Sequence, residues 1–297
     1  MIYNATLIKL TGGLYQAVTN SGETFKCRAR GNFRVKNQSP LVGDKVKIRI
    51  ENPDDEGLIL EIYERKNHLI RPAIANLDNL IIVSALSIPK PNLSVVDRLI
   101  AAARFNNITP IIIFNKADEE KGKSFAKIYK QIGYDTVVTS AETNRGVKKL
   151  RKLIKGKISA MAGNTGVGKS ALLNAINKEF NLACGEISQK LNRGRHTTRH
   201  VELLKIDNNT FIADTPGFSS FDLQTCEVTA QGLAYCFDDF LEFAEMCKFA
   251  SCSHISEDDC EVLKAVSAGK IALSRYKSYK YMFDTIKDIK HWEKTPK

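Results

Sequence analysis

The stretch GNTGVGKS, residues 163–170, restricts the fold more than any other part of the chain. It fits Gly-x4-Gly-Lys-Ser through Gly163, Gly168, Lys169 and Ser170. Glycines let successive backbone N–H groups turn inward around a phosphate, and a helix starting at the loop's end adds its positive pole. Such a loop needs a strand before it and a helix after it. KISAMA supplies the first as an apolar run, and ALLNAIN supplies the second. Gly163, Asn164, Thr165, Gly166, Val167, Gly168, Lys169, Ser170 and Ala171 are therefore candidate nucleotide contacts. Lys169 can reach the β and γ phosphates, and the Ser170 hydroxyl can ligate Mg²⁺. A dinucleotide fingerprint, Gly166-x-Gly168-x-x-Ala171, competes weakly. It requires an acidic residue about 20 positions further on, where this chain runs SQKLNRGRHTTRH.

Other segments complete a nucleotide constellation. DTPG, 214–217, ends an apolar run; Asp214 can hold Mg²⁺ through water, and the Gly217 N–H can bond the γ-phosphate. GRHTTR, 194–199, lies in a basic, aperiodic stretch that reads as a switch loop. Thr198, with Thr197 as the second choice, can close the Mg²⁺ shell, so Thr198 joins Lys169 as a candidate catalytic group. NKAD, 115–118, speaks to the base. The Asp118 carboxylate accepts only, and suits the N1–H and N2–H of guanine; adenine would leave it unpaired. Asn115 can bond guanine N7 and brace neighbouring loops, while the Lys116 stem covers the ring. In TSAE, 139–142, Ser140 and Ala141 follow a strand, which aims the Ala141 N–H at guanine O6.

The order of these segments is reversed: the base motif precedes the phosphate loop. Joining the old termini of a compact domain and opening the chain elsewhere produces this order. The new break falls after DTPGF, so the γ-phosphate loop leads directly into the C-terminal region.

Three regions are expected. Residues 1–66 contain five short strand-like runs separated by Gly and Asn turns, the pattern of a small OB-fold barrel. Its strands carry Lys26, Arg28, Arg30, Arg34, Lys36, Lys45, Lys47 and Arg49, with Phe25 and Phe33 nearby, which suits an RNA-binding face. In residues 67–220 strands and helices alternate, giving an α/β unit with a mainly parallel sheet. Residues 221–297 read as helices at 233–246, 258–269 and 274–292. The net charge of +11 favours a polyanionic partner. With no export signal or membrane span in view, a cytoplasmic chain with reduced thiols is expected.

Cys247-x4-Cys252-x-His254-x5-Cys260 gathers three thiols and an imidazole into a short segment. Four such ligands satisfy tetrahedral Zn²⁺ and close its shell, so the metal is expected to be structural.

Base motif before phosphate loop, a barrel-like leader and this cysteine pattern together make the chain resemble the bacterial circularly permuted ribosome-small-subunit-dependent GTPase A family. The resemblance covers almost the whole sequence. It implies an α/β P-loop GTPase domain, circularly permuted, between an N-terminal OB-fold β-barrel and a C-terminal α-helical zinc-binding domain. It implies GTP hydrolysis to GDP, stimulated by the 30S ribosomal subunit, with a role in late subunit maturation and contact with 16S rRNA. A monomer and no membrane partner are expected. Thr165 and Ala171 stand where the family commonly has serines, and Arg199 where another threonine is common. Phe218 occupies the place where many GTPases have a water-orienting glutamine, and cannot replace it. His196 in the switch loop is the nearest candidate, a role that the resemblance supports; a partner group is the alternative. A GTP-controlled switch on another RNA, and a metabolic P-loop kinase, are the competing functions. The kinase would leave NKAD redundant.

Overall fold

The computed structural model describes residues 1–31, 33, 39–52, 55–70, 72–120, 123–180, 182, 201–214, 223 and 228–289, with backbone only at 123 and 214. His196, Thr197, Thr198, Gly217, Phe218 and the switch-loop arginines lie outside the described residues, as do Arg34 and Lys36.

Five strands open the chain: β1 (Ile2–Thr11), β2 (Leu14–Thr19), β3 (Thr24–Ala29), β4 (Lys45–Arg49) and β5 (Gly57–Ile62). They pair in the order β1-β2-β3-β5-β4 and close through β4 onto β1, with β3 and β5 parallel. Alternation decides the inside: Ala5, Leu7, Cys27, Val46, Ile48 and Ile59 point into a shared core. Phe33 belongs to that core rather than to a nucleic-acid face. Lys26, Arg28, Arg30, Lys45 and Arg49 are exposed, yet Arg28 pairs with Glu56 and Arg49 with Glu51.

A two-residue-strand hairpin, β6 (His68–Leu69) with β7 (Ile74–Ala75), leads from the barrel into the α/β unit. There follow β8 (Asn79–Ala85), α1 (Leu93–Phe105), β9 (Thr109–Asn115), α2 (Lys123–Ile132), β10 (Asp135–Val138), α3 (Val147–Ile154), β11 (Ile158–Ala162), α4 (Lys169–Ile176), β12 (Glu202–Asp207) and β13 (Thr210–Asp214). Every residue of β8 and β11 is buried, as continuous apolar runs covered on both faces require. The strand order is β10-β9-β8-β11-β13-β12, parallel except for β12. β12 was not foreseen from sequence. It meets β1 at Lys9 and Glu202, so barrel and α/β sheet are continuous there.

Helices α3 and α4 cover one face of the sheet through Val147, Leu150, Ile154, Leu172, Leu173 and Ile176. Helices α1 and α2 cover the other, and the C-terminal helices pack on α1 in the same core. These are α5 (Ala230–Leu233), α6 (Asp238–Ala244), α7 (Glu261–Ser267) and α8 (Leu273–Ile286). The helix expected over 233–246 is interrupted at Phe237, which is extended (φ −110°, ψ 93°). The reason is tertiary: the Phe237 ring is wholly buried, 4.4 Å from the Arg275 guanidinium and edge-on to Tyr279.

Arg275 is the centre of a buried polar cluster. Its Nη1 donates to Asp97 on α1 at 2.7 Å, and its Nη2 to Asp239 on α6 at 2.7 Å. The Tyr129 hydroxyl of α2 donates to Asp97 at 2.9 Å. Burial opposes the charge of Arg275, but the two carboxylates more than offset this and raise its pKa.

Candidate active site and metal centre

Parallel strands deliver their C-terminal ends to one edge of the sheet, where open α/β folds bind ligands. Here β11 runs into the phosphate loop, β9 ends in Asn115, and β10 leads to Ser140 and Ala141. The register sets Ala85 beside Asn115 and Phe114 beside Val138. NKAD, TSAE and GNTGVGKS therefore emerge together despite their reversed order.

They are also bonded to one another. Asn115 is buried, and its Nδ2 donates to the Val167 carbonyl in the phosphate loop at 3.0 Å. Its Oδ1 accepts from the Thr139 hydroxyl at 3.0 Å. The Ala117 N–H bonds the Thr139 carbonyl, and the Thr139 N–H bonds the Phe114 carbonyl. Thr139 was not among the candidates from sequence; its only signal was a polar residue at the buried end of a strand.

The phosphate loop itself depends on glycine at both ends. At Gly163 φ is 138°, and a Cβ would lie 2.1 Å from the Val83 carbonyl oxygen. At Gly168 φ is 91°, and a Cβ would lie 2.5 Å from the Asn115 amide nitrogen. No L side chain fits either place. Asn164, Thr165 and Gly166 are exposed, Val167 is buried, and Ser170 and Ala171 sit half-buried in the first turn of α4. Lys169 curls over the loop, donating to the carbonyls of Gly163 at 2.7 Å and Asn164 at 2.8 Å. Burial pulls its pKa below the ordinary lysine value.

Asp118 is exposed, and a hydrogen bond from Ser140 is the main reason its carboxyl titrates below the usual range. Ser140 also accepts from the Thr143 N–H at 3.1 Å. Lys116 takes a positive φ of 64° and donates to the Ile88 carbonyl at 2.6 Å. The Asp214 backbone ends β13, opposite Glu202 and next to Ala213, which pairs with Ala160 of the phosphate-loop strand.

The second site lies between α6 and α7. The ligand atoms of Cys247, Cys252, His254 and Cys260 all fall within 4.8 Å of one another. His254 Nδ1 is 3.7 Å from Cys247 Sγ and 3.4 Å from Cys260 Sγ, and the two sulfurs are 3.9 Å apart. Tetrahedral Zn²⁺ with bonds of about 2.3 Å to sulfur and about 2.0–2.1 Å to nitrogen requires separations of roughly 3.8 Å and 3.5 Å. The four residues fit that ion. His254 takes a positive φ of 57°, and burial lowers its pKa toward the neutral, ligating imidazole. The loop is held from outside: Tyr279 donates to the Ser253 carbonyl at 2.7 Å, Tyr276 to the His254 carbonyl at 3.1 Å, and Glu257 accepts from the Ser253 and Ile255 amides. No helix among the described residues is long and apolar enough to cross a membrane.

An NKAD loop bonded to a P-loop that follows it in sequence, on one edge of a parallel sheet, is the arrangement of a circularly permuted P-loop GTPase. Comparison with known proteins specifies it further. The RsgA GTPase model matches residues 62–224, and the RsgA N-terminal domain model matches residues 5–59. The chain is 43% identical over 285 residues to the small ribosomal subunit biogenesis GTPase RsgA of Caldanaerobacter subterraneus, covering 95% of each chain. It is 42% identical over 290 residues to the protein of that name from Bacillus cereus strain ATCC 10987, covering 96% of this chain and 97% of that one. Among solved structures, YjeQ from Thermotoga maritima superposes with a TM-score of 0.83 at 32% identity, over 98% of this chain and 100% of that one. YloQ, a circularly permuted GTPase, gives 0.83 at 34%, over 98% and 96%. The chain belongs to the RsgA GTPase family, and its reaction is the hydrolysis of GTP.

Proposed function

We propose that this GTPase binds the small (30S) ribosomal subunit, contacts its 16S rRNA, and assists late maturation, with hydrolysis stimulated by the subunit and coupled to release. The relatives' shared name and the family membership support the partner. The Asn115–Val167 hydrogen bond carries the nucleotide part, because it joins the base motif physically to the phosphate loop. The three-part division at 1–66, 67–220 and 221–297 belongs to the same proposal.

In this reading Asp118 accepts guanine N1–H and N2–H, held ionised by Ser140. The Ala141 N–H meets O6. Asn115 keeps its second amide hydrogen for N7 while the first braces Val167. Residues 163–171 wrap the phosphates, and Lys169 leaves its two carbonyl partners to bond β and γ oxygens. Ser170, Thr198 and Asp214 are the residues that would hold Mg²⁺, which when bound neutralises developing phosphate charge. The Gly217 N–H reports the γ-phosphate, and His196 orients water. Cys247, Cys252, His254 and Cys260 hold one structural Zn²⁺.

Turnover measured with purified 30S subunits, 50S subunits and unrelated RNA tests the partner. Marked stimulation by 30S alone is expected; equal stimulation by any RNA would replace this reading with a GTP-controlled switch on another RNA. His196→Ala should retain GTP binding and lose most of the stimulated rate, and unchanged turnover would remove the histidine from that role.

A further inference from the structure

Helix α3 carries a charge pattern that neither the nucleotide site nor the fold explains. Arg145, Lys148, Lys149, Arg151, Lys152 and Lys155 are all exposed within and beside an eight-residue helix. Its other face, Val147, Leu150 and Ile154, is buried against the sheet. None of the six makes an ion pair among the described residues. Exposed Glu142 precedes the helix, and Asp207 feels the charge of Lys155.

Arg151 and Lys152 sit in the last turn, where the dipole favours cations, but the rest of the arrangement works against the helix. Lys148 faces Arg151 and Lys152 at i,i+3 and i,i+4, and Lys149 faces Lys152, so like charges stack along one side. Lys148 and Lys149 also occupy the first turn, where the dipole repels cations, and no acidic residue relieves them. Helices α6 and α7 in the same chain open with Asp238, Asp239 and Glu261, as the dipole favours. The barrel strands are less extreme, since Arg28 and Arg49 have acidic partners.

We infer that α3 is a docking face for an RNA phosphate backbone, on the GTPase unit itself and separate from the barrel. Six clustered, solvated cations that form no ion pair among the described residues match a dense row of phosphates and release its counterions on contact. The helix holds them in a fixed array, so less entropy is lost on docking than from a loose basic tail. The inference deepens the proposed ribosomal partnership and rests on it for the identity of the RNA.

The test is the full chain with Lys148→Gln, Lys149→Gln, Arg151→Gln and Lys152→Gln together, compared with wild type. Binding is measured over a salt series to small ribosomal subunits, to a short duplex RNA and to phosphatidylglycerol vesicles. Affinity for subunits should fall about tenfold or more at low salt, and the slope of log K against log salt should flatten by about 3. Basal GTP turnover should not change, and the Tm should stay close to wild type, because the lost self-repulsion offsets the lost last-turn cations. Unchanged affinity and slope for both RNA ligands would overturn the inference. So would a loss confined to the vesicles. If wild type ignores subunits while the variant still loses duplex binding and slope, the docking face stands and the ribosomal partner falls.

Discussion

Replacing Arg275 by Met should destabilise the chain by about 3–5 kcal/mol. Arg275 makes three charge-assisted hydrogen bonds, at 2.7 Å to Asp97 and at 2.7 and 3.2 Å to Asp239. At about 1.5–3 kcal/mol each these set a ceiling of roughly 4.5–9 kcal/mol. Removing the buried guanidinium also removes its own desolvation cost, which brings the net down to the range measured for broken buried pairs. Asp97 is then left fully buried with the Tyr129 hydroxyl as its hydrogen-bond donor. Its carboxyl already titrates above the usual range because of burial, with Arg275 the first influence opposing that. Without Arg275 it rises further. A folded-state pKa above the unfolded value gives stability present at low pH and lost as pH rises through the folded pKa. The variant's deficit should therefore be larger at pH 7 than at pH 5. Urea unfolding followed by far-UV circular dichroism measures both, and amide exchange in α8 locates the loss. Asp97→Leu combined with Arg275→Met should recover a substantial part of the stability if Asp239 reaches solvent. A deficit below about 1 kcal/mol at pH 7, or one that grows on acidification, would refute the account of a charged, fully buried tie.

Asp118→Asn should weaken GTP binding and shift preference toward the xanthine nucleotide, because an amide can donate to the extra carbonyl; intact GTP affinity by calorimetry would remove Asp118 from base recognition. Gly163→Ala should cost about 2–4 kcal/mol and abolish tight nucleotide binding, since a methyl would enter the Val83 carbonyl at a positive φ; retained nucleotide affinity would show that the loop can move there without loss. Purified protein should contain one zinc per chain by elemental analysis, and Cys260→Ser or prolonged chelation should lose it together with exchange protection around α7; full protection in metal-free protein would make the cluster a thiol core instead.

How much of this was legible depended on how local each determinant is. The phosphate loop and the Cys3His spacing are written within a few residues, so both could be placed before any fold was known. Strands β8, β9 and β11 were visible as buried apolar runs, and the barrel strands as alternation. β12 was missed because ELLKID has mixed exposure and charge; it exists through its pairing with β13 and β1. The helix expected from 258 begins only at Glu261, because the preceding residues form the ligand loop and Cys260 takes an extended cap position. Phe33 looked like a base-stacking residue but fills the barrel core. The Arg275 cluster had no local signature at all, since its partners lie 178 and 36 positions away. His196, Thr198 and Gly217 fall outside the described residues, so their roles still rest on sequence and resemblance.

The permutation assigns the two edges of the sheet different tasks. At the edge away from the nucleotide, α3 passes into β11 through only Lys155, Gly156 and Lys157. That junction is tied down: the Gly156 N–H bonds the Thr210 hydroxyl at 2.8 Å, the Ile158 N–H bonds Asp78 at 2.8 Å, and the Phe211 N–H bonds the Lys157 carbonyl at 3.0 Å. The closure that makes the reversed order possible is therefore short and rigid. The open end, after β13, leaves from the nucleotide edge and leads to helices that share a core with α1. Near its start, α1 also borders the phosphate loop, where Asn92, Val95 and Val96 line a small cleft with Gly163, Asn164 and Val167. Asp97, the next residue, is the one held by Arg275. Phosphate loop, α1 and C-terminal helices are thus in contact over a single turn of helix. The Cys3His cluster is tied to α8 by Tyr276 and Tyr279, and α8 is tied to α1 by the Asp97–Arg275 pair. A shift of α1 at the nucleotide edge would therefore reach those helices directly, through packed and hydrogen-bonded contacts.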